Sequence, residues 1–250
     1  ELGYDGSFLK EDLDFYGEYY DTVQHIFIKD AVKTNLFLYK ESIQAIYVTY
    51  EKKYKAFGYA AGIRAEQVNI KGNLVTLDSL INNNYFKLYP TLHLSYEIDD
   101  DNELQLNYSR RINRPDPDEL NPFPEYRDPR NLSAGNPNLL PELINSVEFG
   151  YKWQNKNYSF VPSIYYRYRT NGFTEVIKPI NDSTLLTTSE NLANDQSAGL
   201  ELIFSAKAGK FFSGNLSGNI FYNQIDASNL GYSQNKSIVS FSANMNTTFT

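Results

Sequence analysis

The sequence predicts an all-β chain folded as an antiparallel up-and-down transmembrane β-barrel. Three observations carry the prediction: long stretches with strict two-residue alternation, connections of two alternating sizes, and an unusual load of tyrosine and phenylalanine. The clearest alternation opens the stretch 102–153. Leu104, Leu106, Tyr108 and Ile112 fall on one face, and Gln105, Asn107, Ser109 and Arg111 on the other. A period of two with one oily and one wet face marks a half-buried strand.

The pattern recurs along the chain. Leu88, Pro90, Leu92, Leu94, Tyr96 and Ile98 oppose Tyr89, Thr91, His93, Ser95 and Glu97. Tyr158, Phe160, Pro162, Ile164, Tyr166 and Tyr168 oppose Ser159, Ser163, Tyr165 and Arg167. Near the end the wet faces are almost wholly Ser, Asn and Thr, as in Ser213, Asn215, Ser217, Asn219, Asn223 and then Ser240, Ser242, Asn244, Asn246, Thr248. Such a face lines water rather than a dry core. About ten strands are expected, near 1–8, 37–51, 56–66, 85–98, 103–113, 143–153, 158–170, 197–207, 211–225 and 236–250.

Short connections fall at 52–55, 99–102, 154–157 and 207–210, and long ones at 9–36, 67–84, 114–142, 171–196 and 227–235. Short turns at one end and long loops at the other describe a meander whose ends face different compartments, as in outer-membrane barrels. A soluble β-sandwich mixes the two sizes more freely. A strand of about twelve residues at ~3.3 Å each, tilted by ~40°, covers roughly 30 Å of height. Helical signal is poor, and its only candidate stretch, 11–21, lies in a long loop.

Composition narrows the classes. The 250 residues include 21 Tyr and 16 Phe against one Trp and one Met, and Tyr suits a boundary between oil and water. Mean hydropathy is -0.50 and the longest apolar runs are 36–39 and 45–48, far too short for a spanning helix. Spanning strands leave only a weak hydropathy trace, so a membrane stays open. With no Cys, disulfide scaffolds, zinc ribbons and thiol enzymes drop out. A net charge of -7 argues against a nucleic-acid partner. No signal peptide is visible, and both termini read as strand, so the chain is expected to be a piece of a longer protein.

No catalytic or metal constellation emerges. The acidic run 99–103 fails the calcium-loop pattern, which would need Gly where Leu104 stands and Glu where Arg110 stands; a polar turn fits better. His25 and His93 lack acidic partners at i+3 or i+4, and no nucleophile elbow or phosphate loop is present. The chain is expected to be no enzyme and to need no cofactor.

Seven of the ten prolines lie between Pro115 and Pro141. Proline removes amide donors and fixes φ, so the segment should be an ordered, non-repetitive loop stiffened by Asx turns. Arg110, Arg111 and Arg114 cluster where a strand enters it. They either meet an anionic ligand group or form bracing ion pairs with Asp116, Asp118, Glu119 or Asp128, and the brace is favoured. Parity turns Arg110 toward the lipid. Arg111 and Arg114, with Tyr126, Arg127 and Asn136, are the candidate lining of an extracellular vestibule.

The series Tyr108-Ser-Arg-Arg-Ile-Asn-Arg-Pro115, Leu120-Asn-Pro-Phe123, Asp128-Pro129, Gly135-Asn-Pro137, Leu140-Pro-Glu142 and Glu148-Phe-Gly-Tyr151 resembles the barrel of TonB-dependent outer-membrane receptors of the Bacteroidota type. Tyr89-Pro-Thr-Leu-His-Leu-Ser-Tyr96 and Ala61-Gly-Ile-Arg-Ala-Glu66 add to it, so that it covers most of 39–205. After Pro115 members of that family often carry an aromatic, where this chain has Asp116-Pro-Asp118, so ligand contacts do not transfer there. The resemblance implies residence in the bacterial outer membrane and a barrel of about 22 strands, of which residues 1–250 are a part without plug or signal peptide. It implies three partners: outer-membrane lipid and lipopolysaccharide, a TonB-type energy-coupling protein reached through the missing N-terminal region, and a small scarce nutrient (siderophore, cobalamin, or glycan or peptide fragment). A passive porin-like channel and a soluble β-sandwich binding module are the alternatives.

Overall fold

The structure, a computed structural model, describes residues 1–128, 130–191, 194–209, 211–226 and 236–249, without the side chains of Leu77 and Arg127. In chain order the elements are β1 (Leu2–Phe15), β2 (Glu18–Asp21), β3 (Ile26–Lys29), β4 (Asn35–Tyr54), β5 (Phe57–Leu74), β6 (Ser79–Glu97) and β7 (Asn102–Asn113). A one-turn helix α1 (Pro117–Leu120) follows, then β8 (Glu125–Asp128), β9 (Asn131–Ser133), β10 (Glu142–Gln154), β11 (Tyr158–Thr170), β12 (Phe173–Asn181), β13 (Thr184–Asn191), β14 (Asn194–Ala208), β15 (Phe212–Asp226) and β16 (Lys236–Phe249).

Ten strands form one antiparallel sheet in the order β1-β4-β5-β6-β7-β10-β11-β14-β15-β16. Each of the ten predicted strands has its counterpart, every neighbour is the next long strand in sequence, and the curved wall is open between β1 and β16. The remaining strands belong to the connections at one end. There, β2 and β3 make a hairpin, while β12-β13-β9-β8 make a four-stranded sheet whose β13–β9 pair is parallel.

Register sorts the side chains of the wall into two faces. Val48 sits opposite both Leu2 and Ile63, and Ile63 opposite Pro90, so these residues share one face. Across the sheet Leu106, Phe149, Ile164, Leu200, Ile220 and Phe241 continue it. Its large apolar groups are open, with Ile164 57 % and Phe241 84 % exposed. No second sheet covers this face among the described residues, which removes the sandwich alternative. Aromatic rings border the band. Tyr158 stacks on Phe204 and Phe212 tilts on Phe249 toward the short turns, while Tyr4, Phe86, Tyr108, Tyr166 and Tyr222 mark the other edge. An open apolar band between aromatic girdles is what a hydrocarbon layer requires.

The opposite face carries the buried cluster. Phe37, Tyr39, Val68, Ile70, Leu74 and Ile81, from the long-loop ends of β4, β5 and β6, pack with Leu120, Phe123 and Leu139 of the proline-rich segment. The loop therefore folds inward, onto the lumen side of the wall.

Several expected loops are shorter than their composition suggested. Rather than a loop over 67–84, β5 runs to Leu74 and β6 starts at Ser79, joined by a tight turn in which Asp78 adopts φ +48. Of 9–36, only 16–34 lies outside the wall, and within 11–21 residues 11–15 and 18–21 are strand rather than helix. The cause is a change of phase. Below the turn of phase the apolar residues of β5 are Phe57, Tyr59, Ala61, Ile63 and Ala65; above it they are Val68, Ile70 and Leu74, one residue out of step. Beyond the bilayer the outward side chains are Gln67, Asn69, Lys71 and Asn73, and the oily ones turn inward under the loop. A pattern that slips by one residue reads as the end of a strand, yet the backbone pairing continues. Likewise 171–196 holds the hairpin β12–β13, and the proline-free tetrad Glu125–Asp128 pairs with β9. The expected loop 227–235 lies outside the described residues.

Candidate functional site

The vestibule is built where the proline-rich segment meets the lumen wall. α1 begins at a proline, whose missing amide costs nothing there, and the Glu119 carboxylate accepts the Asp116 amide at 3.0 Å. Gly135 lies against this turn: its amide donates to Asn121 O at 2.8 Å, and a Cβ there would stand 2.5 Å from the carbonyl oxygens of Asp118 and Glu119. Only glycine permits that approach. Asx turns fix the rest, with Asp128 Oδ1 accepting the amides of Arg130 (2.8 Å) and Asn131 (3.0 Å). The Asn131 side-chain amide and these backbone donors hold the Asp128 carboxyl below the usual carboxylate range.

Two ion clusters fasten the loops to the wall. Glu66, 4 % exposed on the inward face of β5, receives Arg64 Nε at 2.6 Å and Arg114 Nη2, and Arg64 Nη2 reaches Asp5 at 3.0 Å. Around them the hydroxyls of Tyr85 and Tyr89 and the Nε of Arg114 have no hydrogen-bond partner among the described residues. The second cluster centres on Glu142, 3 % exposed. It accepts Arg169 Nη1 at 3.1 Å, Asn113 Nδ2 at 2.9 Å and the Phe173 amide at 2.6 Å, while Arg169 Nη2 goes on to Asp195 at 2.9 Å. A single carboxylate thus ties together the ends of β7, β10 and β11 and the start of β12. With several charge-assisted donors on each carboxylate, both clusters are stiff.

The residues singled out in the sequence fare differently. Arg114 is a brace, as favoured, but its carboxylate is Glu66 of β5 and not an acid of its own loop; Glu119 and Asp128 are occupied with local backbone donors. Arg111 is exposed on the lumen face, on one rung with Ile144 and Arg169. Tyr126 lies under the ammonium of Lys33, 5.2 Å from its ring centre. Asn136 donates to Ser189 O at 3.1 Å and so joins the loop to β13. The side chain of Arg127 lies outside the described residues. Arg110 points outward, opposite Asn145. Sequence reasoning passed over Arg64, Glu66, Glu142, Arg167, Arg169 and Asp195. Their signal was parity: each is a charged residue on the wet face of a strand whose other face is oily.

Near Arg111, the guanidinium of Arg167 lies 4.3 Å from the ring centre of Tyr165, itself buried on the lumen wall. Among the described residues neither Arg111 nor Arg167 has a carboxylate within ion-pair distance. The lumen wall thus presents two open guanidinium groups beside a cluster in which one arginine, Arg169, meets two carboxylates, Glu142 and Asp195. Farther out a cavity of about 260 Å³ lies between α1 and β12–β13, lined by Asp118, Glu119, Phe123, Glu125, Glu175 and Thr187 among others.

An open apolar band between aromatic girdles and a polar lumen face closed by inward-folded loops define the wall of a transmembrane β-barrel. The chain belongs to the outer membrane protein beta-barrel family, whose pattern it matches over residues 1–250. It is accordingly a protein of the bacterial outer membrane. No curated protein matches it. Among solved structures it is similar to the ferric yersiniabactin uptake receptor FyuA from Yersinia pestis, with TM-score 0.62, 13% identity, and coverage of 98% of this chain and 36% of that one. The hemophore receptor HasR of Serratia marcescens, solved with its hemophore and heme, gives TM-score 0.61, 14% identity and coverage of 88% and 41%. The copper transporter OprC gives 0.57, 12%, 90% and 39%. The chain spans well under half the length of these three proteins, and the likeness is one of fold.

Proposed function

We propose that residues 1–250 are part of the barrel of a TonB-dependent receptor, with a plug and further strands elsewhere in the protein, and that it takes up a scarce nutrient actively. The observation that carries this reading is the loop anchored inside the lumen. A loop fastened to the lumen wall by a buried apolar cluster and two carboxylate hubs narrows the lumen and holds its side chains in fixed positions. A receptor needs such a scaffold, because capture requires side chains held in place. The similar proteins carry iron chelates, heme and copper, which agrees with a nutrient-uptake role. Arg111 and Arg167 favour a ligand with carboxylate, phosphate or other anionic groups, since an open guanidinium offers a bidentate fork. The work this reading assigns to the wall is binding and translocation.

Uptake by cells bearing and lacking the gene tests this. Ferric siderophores, cobalamin and labelled oligosaccharides or peptides are supplied at nanomolar concentration, with and without the energy-coupling complex. The expected result is saturable uptake that vanishes on deletion and on de-energisation, and that falls at least tenfold in the Arg111→Ala, Arg167→Ala double variant. Uptake linear in concentration and indifferent to energisation would establish the passive channel instead.

A further inference from the structure

The lumen wall below the two open arginines carries two acids that the loop scaffold leaves unused. Glu148 of β10 and Glu201 of β14 neighbour the outward Phe149 and Leu200 in sequence, so both point into the lumen. Glu148 shares a rung with Tyr165, and Glu201 shares the rung of Ser163, one residue pair nearer the short turns. Neither acid has an ion pair or a side-chain hydrogen bond among the described residues. One side chain joins these acids to the arginines. Tyr165 lies across Gly199 of β14, where a Cβ would stand 2.6 Å from its hydroxyl, and that hydroxyl donates to Asn219 of β15 at 3.2 Å. The ring is thereby pinned to three strands, and it holds the Arg167 guanidinium over its face. A guanidinium stacked on an aromatic face keeps its edge donors free for a carboxylate.

The patch is therefore polarised along the barrel axis. Arg167 and, one residue pair higher on β7, Arg111 stand toward the long loops, with the two acids beside and below the ring. At ~3.3 Å per residue and ~5 Å between strands, the backbone of Arg167 lies about 8 Å from that of Glu148 and about 14 Å from that of Glu201. A purely anionic ligand would gain from the arginines and be repelled by the acids, whereas a ligand with both charges meets both. We propose that this patch binds a linear zwitterion, with its carboxylate on Arg167 and Arg111, its ammonium on Glu148 and Glu201, and the chain between them on the Tyr165 ring. The inference rests on the receptor reading above and narrows its ligand from any anion to a chain with opposite charges at its two ends. The separation suits about three extended residues at ~3.4 Å each.

The test titrates the full-length protein in detergent, by calorimetry, with trialanine, N-acetyl-trialanine and trialanine amide. Capping either end should weaken binding about tenfold or more, because the charged partner on the wall is left unpaired. The Glu148→Gln, Glu201→Gln double variant should lose about the same factor for trialanine. The two changes should not add: the acetylated probe on the double variant should bind no more weakly than on the wild type. If the double variant does not fold, Glu148→Gln alone should still show a loss of a few fold. Acetylated and free probes of equal affinity, equal losses for both probes in the Gln variants, or no binding of trialanine would each overturn the proposal. Uptake of labelled trialanine with and without energisation keeps the two readings apart. Passive entry alongside charge discrimination in the titration would retire active uptake and leave this site standing. Energised, saturable uptake indifferent to acetylation would retire the site and leave the receptor reading standing.

Discussion

The two halves of β5 obey opposite rules along one continuous backbone, and β4 and β6 follow in part, keeping Leu36, Leu38, Leu80 and Phe86 on the outward face. Toward the short turns, oily side chains point outward and the lumen face carries Gly58, Gly62, Thr91, His93 and Ser95. Toward the long loops, Phe37, Tyr39, Val68, Ile70 and Ile81 point inward while Lys40, Asn69 and Lys71 point outward. Solvent decides which face is oily, and hydrogen-bond pairing does not change. A strand that leaves the bilayer keeps its ladder and changes its phase.

The comparison can be broken most forcefully at its hub. Glu66 links wall to loop, and cutting a buried ion pair by removing one partner costs about 3–5 kcal/mol. Glu66→Ala should therefore release the proline-rich segment to protease while the barrel keeps its resistance to unfolding in detergent. Phe37→Ala, at the centre of the inward cluster, should cost about 3–5 kcal/mol of loop docking as well, read by the same cleavage. Arginine scanning sharpens the contrast: Ile63→Arg should cost roughly 2–4 kcal/mol of barrel stability in bilayers, and Asn69→Arg on the same face about nothing. At the short turns Lys53 pairs with Glu97 at 2.5 Å in full view of solvent, so Lys53→Met should change stability by about 0–1 kcal/mol.

A pH series gives the smallest expected effect. Hydrogen bonds from the Asn102 side chain and the Asp101 amide lower the Asp99 carboxyl, and Asp128 is lowered in the same sense. A depressed carboxylate stabilises its turn above the ordinary aspartate value of about 3.9 and loses that contribution as pH falls. Cleavage at both turns should accordingly quicken only in acid.

The ten wall strands were legible because each keeps its alternation for most of its length. The upper ends were not, since Val68, Ile70 and Leu74 fall one residue out of step with Ile63 and Ala65. The inward fold of the proline-rich segment was equally hidden. Leu120, Phe123 and Leu139 have no period of their own, and their partners lie far away in sequence on β4 and β5. Arg114 was recognisable as a brace, whereas Glu66 as its acid was not, because the pair depends on how β5 and the loop meet in space. Arg169 and Glu142 could have been proposed from lumen parity and from the stretch Leu140-Pro-Glu142. Their convergence on one carboxylate rests on the register of β7, β10 and β11.

The change of phase along β5 can be measured directly, since the chain has no cysteine of its own. Single cysteines at each position from 61 to 72, spin-labelled in the protein reconstituted into bilayers, report collisions with oxygen dissolved in lipid and with a water-soluble relaxant. Positions 61, 63 and 65 should favour oxygen, 67, 69 and 71 the water-soluble agent, and 68 and 70 neither. Strong oxygen access at 68 and 70, or a two-residue pattern that keeps its phase through 72, would contradict the account.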